Sequence, residues 1–328
     1  MTGVNTDTII TTGTVTHIDV STEQAGQRID NFLLAHWRGL PRSRVYRLLR
    51  RGEVRVNGAR IGPDHRLRAG DRVRLPPVDL VPPRPPQQAP TRQLDELSAR
   101  ILYEDERLLV LDKPAGLACH GGSGLRYGAI EALRQLRPNQ PFLELVHRLD
   151  RDTSGCLLIA KRRSTLRALH EQLRRGAVKK RYLALLTGHL DHRRQRVDAP
   201  LARYARGGER LVRVDPTGKP AATVFRVRER FSGAVLAEAE LLSGRTHQIR
   251  VHAAHLGCPL AGDAKYGDRR AETGLSGIGL ERLFLHATAI EIAPIEGVRA
   301  CRFSSPLPAT LESVLIRLRQ QSLTPSPP

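Results

Sequence analysis

The chain has 328 residues, enough to bury a large core in one or two domains, and its 53 Lys and Arg against 33 Asp and Glu give a formal net charge of +20 at pH 7. A globular protein this basic meets a polyanion, most often nucleic acid, although an anionic membrane surface would satisfy the charge alone. No run of about 20 apolar residues argues for a membrane span, and the polar, Thr-rich start from Met1 to Thr16 does not read as a secretory signal. Cys119, Cys156, Cys258 and Cys301 form no Cys-x-x-Cys pair, so neither a zinc cage nor a disulfide framework is indicated and a reducing cytoplasm fits.

Residues 1–23 read as an N-terminal extension, with Val15, Ile18 and Val20 alternating in at best a short edge strand. From Arg28 the pattern turns helical, with Ile29, Phe32 and Leu33 on one face. A second helix is expected to be capped by Ser43, striped by Val45, Leu48 and Leu49, and ended by Gly52. Val54 and Val56 then alternate into a turn at Asn57-Gly58, and Asp71 to Leu75 closes the module as a strand. Residues 24–76 hold 13 arginines, no lysine and 4 acids, a local net charge of +9 that points to phosphate contact. A single arginine face is usually just solvated. Here Arg44, Arg47, Arg50, Arg51 and Arg55 fall within the string Arg-Val-Tyr-Arg-Leu-Leu-Arg-Arg-Gly-Glu-Val-Arg-Val-Asn-Gly, residues 44–58. The unit resembles the S4 RNA-binding domain, which implies that these five arginines bind RNA.

Seven prolines between residues 76 and 90 mark residues 77–99 as a stiff linker and the one clear domain boundary. A second domain is expected over 100–321, followed by a disordered tail at 322–328. Ile101–Tyr103 and Leu108–Leu111 read as strands, Lys113-Pro-Ala-Gly116 breaks the second, and His120-Gly-Gly-Ser-Gly124 reads as a glycine loop without the ending of a P-loop. Residues 127–136 and the Leu166, Leu169, Leu173 stripe read as helices. Tyr182–Leu186 and two long strands flanking Phe231-Ser-Gly233 follow, then a helix capped by Thr246 with Ile249, Ala253 and Leu256 on its apolar face. Residues 190–219 and 268–281 read as loops, and 308–320 as a closing helix. Long strands and hairpins without regular strand–helix alternation predict an α+β domain on a mixed, mostly antiparallel sheet with flanking helices.

The chemistry centres on His147-Arg-Leu-Asp-Arg-Asp-Thr-Ser-Gly155. An apolar lead-in ends at Asp150, a turn cluster follows, and Cys156–Ala160 resumes as a buried strand. An isolated aspartate there usually caps its own turn. A rigidly held one facing a cleft can act as nucleophile or base. Arg245, at the expected strand-to-helix corner, is placed to reach into a cleft, where an arginine within about 4–6 Å would lower the pKa of Asp150. Tyr182 can stack on a base or move a proton.

These strings, with Gly244-Arg-Thr-His-Gln-Ile-Arg-Val-His252, Lys180-Arg-Tyr182, Gly262-Asp-Ala-Lys-Tyr-Gly267 and Arg282-Leu-Phe-Leu-His-Ala287, resemble the motifs of the RluA-type pseudouridine synthases over residues 24 to about 318. The resemblance implies an enzyme that isomerises uridine to pseudouridine in large-subunit (23S) ribosomal RNA or its precursor. It implies base flipping, no cofactor and no metal. It assigns catalysis to Asp150, paired with Arg245, and to Tyr182, with Arg148, Ile249, His247 and Arg250 as substrate contacts. A monomer is the default expectation. Two rivals remain: a non-catalytic RNA-binding factor, and a metal-dependent RNA enzyme using His247, His252 and His255, whose spacing does not suit one helix face.

Overall fold

The computed structural model describes residues 10–11, 14–22, 24–37, 39–80, 88–121, 127–267 and 277–323. The chain divides into two compact units at residues 87 and 88. The glycine loop at 122–124, the centre of the proline-rich stretch at 81–87 and the tail from 324 lie outside the described residues.

In the first unit, β1 (Ile10–Thr11) pairs with β6 (Asp79–Leu80). A four-stranded antiparallel sheet runs in the order β2 (Thr16–Asp19), β5 (Arg72–Leu75), β3 (Arg55–Val56), β4 (Ala59–Arg60). β2 is therefore an edge strand. Two helices, α1 (Ile29–His36) and α2 (Arg42–Arg51), bury Ile29, Phe32, Leu33, Val45, Leu48 and Leu49 in one core with Val54, Val73 and Leu75. Ser43 does not cap α2: Pro41 holds the N-cap position, and no side chain closes that end. Gly52 ends the helix in the left-handed region, at φ 70°, as its lack of a Cβ allows. Asn57 and Gly58, both at positive φ, make the hairpin turn between β3 and β4.

The second unit opens with α3 (Thr91–Ser98), so a helix occupies the end of the stretch expected to be linker. Leu97 on α3 is buried in the same core as Ala129 and Leu133 of α4 (Ala129–Leu136). The main sheet has ten strands among the described residues. They are β7 (Ile101–Glu104), β8 (Leu108–Lys113), β9 (Glu144–Leu145), β10 (Ser154–Ala160), β11 (Lys179–Thr187), β12 (Arg194–Asp198), β15 (Ala222–Phe231), β16 (Ala234–Leu241), β17 (Leu285–Ile292) and β18 (Cys301–Ser304). The path is β12-β15-β16-β11-β17-β10-β8-β7, with β18 on β17 and β9 on β10. Among the described residues only the β10–β17 pairing is parallel, which agrees with the mixed, mostly antiparallel α+β sheet expected.

Both faces of the sheet are covered, which explains the unbroken apolar runs. Leu109, Leu111, Leu157 and Ile159 face one core with α3, α4 and α6 (Gln248–His255). Their strand neighbours Leu108, Val110, Cys156 and Leu158 face another with Leu169 of α5 (Arg163–Arg174). The closing helix α7 (Ala309–Leu323) runs two residues into the expected tail and buries Leu311, Val314, Leu315 and Leu318 against Leu185 and Phe284.

Residues 190–219, read as loop, instead contain β12 and a separate hairpin of β13 (Leu201–Arg206) and β14 (Glu209–Val214). Gly207 and Gly208, at φ 58° and 79°, form its two-residue turn. A Gly-Gly pair is a hairpin signal, and here it was masked by the surrounding arginines.

Candidate active site

Asp150 lies between β9 and β10, where the chain turns sharply. Its main-chain carbonyl, not its carboxylate, accepts the Thr153 N–H at 3.2 Å to close the turn. The turn is pinned on every side. The Cys119 thiol meets both the N–H and the carbonyl of Leu149 at 3.2 Å. The fully buried Lys113 ammonium donates to the carbonyls of Pro114, Leu117 and Arg151 at 2.8, 2.8 and 3.0 Å. Arg282 donates to the Asp152 carbonyl at 3.2 Å and to Ser154 Oγ at 2.9 Å. Gly155 follows at φ 110°, with the Ala287 carbonyl only 2.3 Å from where a Cβ would stand, so no other residue fits the start of β10 there. Burial lowers Lys113 to about 8 and raises the Cys119 thiol, which removes Cys119 as a nucleophile.

The Asp150 carboxylate, 26% exposed, faces a cleft of about 1470 Å³ built wholly from the second unit. Its cationic partner is Arg250, not Arg245. Arg250 Nη1 stands 3.6 Å from Asp150 Oδ2. Arg245 is exposed at the cleft rim and its Nε donates to the Pro220 carbonyl at 3.2 Å. The local cause is the start of α6. Thr246 does not cap it; His247 takes the N-cap position in the left-handed region, at φ 53°. The buried Gln248 Oε1 accepts the Arg245 N–H at 3.0 Å and the Ser243 hydroxyl at 2.8 Å, while its amide donates to β15 at the Ala222 carbonyl and Thr223 Oγ1. The corner is thus bonded to β15, and the N-cap His247 and Arg250 of the first turn, not Arg245, face Asp150.

Arg250 also holds Asp263 through two parallel bonds of 2.7 and 2.6 Å, and lies over the Tyr266 ring at 5.0 Å. Burial would lower the Arg250 pKa, but the bonds to Asp263 and the charges of Asp263 and Asp150 outweigh it, so the guanidinium is held above its ordinary value. His247 Nε2 is 3.9 Å from Asp150 Oδ1, and Nδ1 is 2.7 Å from the Tyr266 hydroxyl. Burial lowers the His247 pKa. With Tyr266 donating to Nδ1, the neutral ring carries its proton on Nε2, facing Asp150.

Tyr182 is buried on β11 and lines the same cleft. The pairing of β11 with β17 shifts register between Arg181 and Leu183, so Tyr182 sits at the irregularity while still opposing Ala239 of β16. Burial and the Asp150 charge push the phenol up, so it stays protonated at neutral pH. Ile249, in the first turn of α6, shares a core with Tyr182 and lines the cleft; Arg148 lines it from an exposed position. The alternative metal set fails on geometry: His252 Nδ1 is against Thr223 Oγ1 at 2.9 Å and Nε2 against the Ala199 carbonyl at 3.0 Å, both buried. In the first unit, Arg47, Arg50, Arg51 and Arg55 are exposed on or just after α2, while Arg44 lies 3.7 Å from Asp79.

Sequence reasoning singled out Asp150, Tyr182, Arg148, Ile249, His247 and Arg250, which the fold brings to one cleft, whereas the fold separates Arg245 from Asp150, its expected partner. Sequence reasoning gave Lys113, Gln248, Asp263 and Arg282 no role of their own. The signal for Asp263 lay in the Gly262–Gly267 block, a tight turn after a helix bearing a buried arginine.

A family model described as RNA pseudouridylate synthase matches residues 107–255, and one described as S4 domain matches residues 27–73. The chain is 50% identical over 306 residues to the ribosomal large subunit pseudouridine synthase C of Pasteurella multocida, covering 93% of this chain and 94% of that one. It is 49% identical over 312 residues to the protein of that name from Escherichia coli K12, covering 94% and 98%. Among solved structures it is similar to human RNA pseudouridylate synthase domain containing 4, with a TM-score of 0.59 and 26% identity over 70% of this chain and 96% of that one. Identity at this level along almost the whole length, on a fold that sets an aspartate, an arginine and a tyrosine around one cleft, leaves a single conclusion: the chain belongs to the RNA pseudouridylate synthase family.

Proposed function

We propose that this pseudouridine synthase isomerises specific uridines of large-subunit (23S) ribosomal RNA or its precursor, the substrate that its relatives' names state. The uridine is extruded from its stack into the cleft, at a cost of a few kcal/mol. Asp150 initiates cleavage of the N1–C1′ bond, from the ribose side, and Arg250 holds that carboxylate and balances its charge. The freed uracil rotates between Tyr182 and Ile249. C5 bonds to C1′, the C5 proton leaves, and N1 takes up a proton, so the product is an isomer and the reaction consumes no cofactor. His247, with its Nε2 proton toward Asp150, helps orient the carboxylate. Arg148 and Arg245 at the rim, and Arg44, Arg47, Arg50, Arg51 and Arg55 of the first unit, contact the RNA backbone and offset the extrusion cost. The domain plan is an S4 unit within residues 1–87 and a catalytic domain from residue 88 onward. The protein works as a monomer in the cytoplasm.

The observation that carries this reading is the carboxylate of Asp150: held in a turn it does not itself cap, and turned to a cleft beside a fixed guanidinium and a buried tyrosine. A non-catalytic RNA-binding factor has no use for that arrangement. The test is tritium release from 23S ribosomal RNA labelled at uridine C5, since forming the C5–C1′ bond expels that hydrogen. Release by the wild type and none by Asp150→Asn, with RNA binding kept, is expected. Equal release by both proteins would remove Asp150 from the chemistry, and none by the wild type on unmodified RNA would return the protein to the binding-factor reading.

A further inference from the structure

Lys180 sits on β11 two residues before Tyr182, and both line the cleft. Among the described residues its ammonium has no hydrogen-bond or ion-pair partner, and burial alone lowers it to about 8, with no charged group acting to raise it. Its neighbours explain why. Its register partners are Leu241 on β16 and Ile290 on β17. The nearby His147 is neutral, lowered to about 3 by burial and by the charge of Lys180, and its Nε2 accepts the Leu158 N–H at 3.2 Å. The Ser243–Arg245 corner closes over Lys180 at Gly244, where an added Cβ would stand 3.2 Å from Nζ, so glycine makes room for the ammonium. Arg148, Arg203, Arg210, Lys219 and Arg245 line the same cleft but are exposed, where water balances their charge. Lys180 alone among these cations is partly buried without an acid beside it. A desolvated charge of this kind costs free energy unless an anion arrives with the ligand.

We propose that Lys180 is a substrate-binding residue whose ammonium receives a phosphodiester oxygen flanking the extruded uridine, so that its counter-ion comes with the RNA. The inference rests on the cleft being the uridine site. An ammonium–phosphate bond made on docking adds to binding of substrate and transition state alike, so its loss appears in KM and not in kcat.

The test uses the full chain and a 23S transcript into which an oligonucleotide is splint-ligated. The oligonucleotide carries a uridine that the wild type converts and a neutral methylphosphonate on either its 5′ or its 3′ side. Lys180→Met is expected to raise KM roughly 10- to 100-fold with kcat within about 3-fold, as loss of a charge-assisted bond predicts. Lys180→Arg recovers part of it. One of the two methylphosphonates is expected to cost the wild type a similar factor and to cost Lys180→Met nothing further, which also names the phosphate. Lys180→Met replaces an unpaired cation with an apolar side chain of similar length, so its thermal midpoint is expected to hold or rise. An unchanged KM, a loss confined to kcat, or penalties that simply add at both positions would overturn the inference. Asp150-dependent tritium release that ignores Lys180 sinks this proposal alone; no release by the wild type sinks the reading of the site.

Discussion

Arg250 faces two aspartates, and they are held in opposite ways. Asp263 is sealed: its side chain is 0% exposed, both oxygens take guanidinium N–H groups at 2.6 and 2.7 Å, and Oδ1 also takes the Lys265 and Tyr266 N–H groups. Asp150 is 26% exposed, stands 3.6 Å from the same guanidinium, and faces the cleft. The first pair spends its bonds on fixing an arginine. The second leaves carboxylate lone pairs free for a substrate, next to a cation that cannot move away. A reactive carboxylate and an anchoring one are thus separated not by residue type but by how many donors each has already met.

The sharpest test of that division is to remove each acid in turn. Asp150→Asn is expected to cut turnover by at least about 10³-fold, as removal of a reacting group does, while shifting unfolding free energy by no more than about 1 kcal/mol, since its ion pair with Arg250 is long and its carboxylate partly wet. Arg250→Leu strands a buried Asp263 and is expected to cost about 3–5 kcal/mol of stability as well as activity. Adding Asp263→Leu to it replaces the pair with apolar volume and is expected to recover much of the stability and none of the activity. Urea denaturation and tritium release on the same four proteins would decide the matter. Activity returning in the double variant would show that Arg250 serves only the fold.

The contrast also shows what could be seen in the sequence. Asp150 was legible because it ends an apolar run and opens a turn of Asp, Thr, Ser and Gly, a purely local pattern. The sheet was legible where strands are buried on both faces, as in Leu108–Leu111 and Cys156–Ala160. Arg245 and Arg250 were exchanged because the helix start was read from Thr246, the best capping residue in the string. In the fold that hydroxyl accepts from Arg203 at 2.9 Å instead, and the Gln248 side chain secures the corner. Lys113 was illegible for a deeper reason. Its three acceptors come from both its own loop and Arg151, so its value exists only once the Asp150 turn is in place.

Strong acid should weaken the anchoring pair. Burial would raise the Asp263 carboxyl, but bonds to Arg250, its charge and the two backbone N–H groups outweigh burial and hold it below its ordinary value. A carboxyl lowered in the folded state gives stability that is present above its unfolded pKa, about 4, and is lost as pH falls through the folded value. Asp263→Asn, destabilised at pH 7, is therefore expected to approach the wild type as pH drops below about 4. Urea midpoints of both proteins from pH 7 to pH 3 measure the gap. A gap constant over that range would mean that the Asp263 charge does not stabilise the fold.

The smallest expected effect concerns how the β13–β14 hairpin is tied to this arginine. The Tyr266 hydroxyl accepts the Val212 N–H at 3.0 Å and meets His247 Nδ1 at 2.7 Å, while its ring lies under Arg250. One oxygen thus links β14, the N-cap of α6 and, through the imidazole, the face of Asp150. Tyr266→Phe keeps the ring and removes only that oxygen. It is expected to cost about 1 kcal/mol, the net worth of such a bond, and to speed hydrogen exchange at the Val212 amide while amides in β10 and β11 stay protected. Because His247 loses the group that sets its tautomer, turnover is expected to fall several-fold more than stability alone accounts for. Faster exchange at Val212 with turnover untouched would confine Tyr266 to holding the hairpin and leave His247 oriented by other contacts.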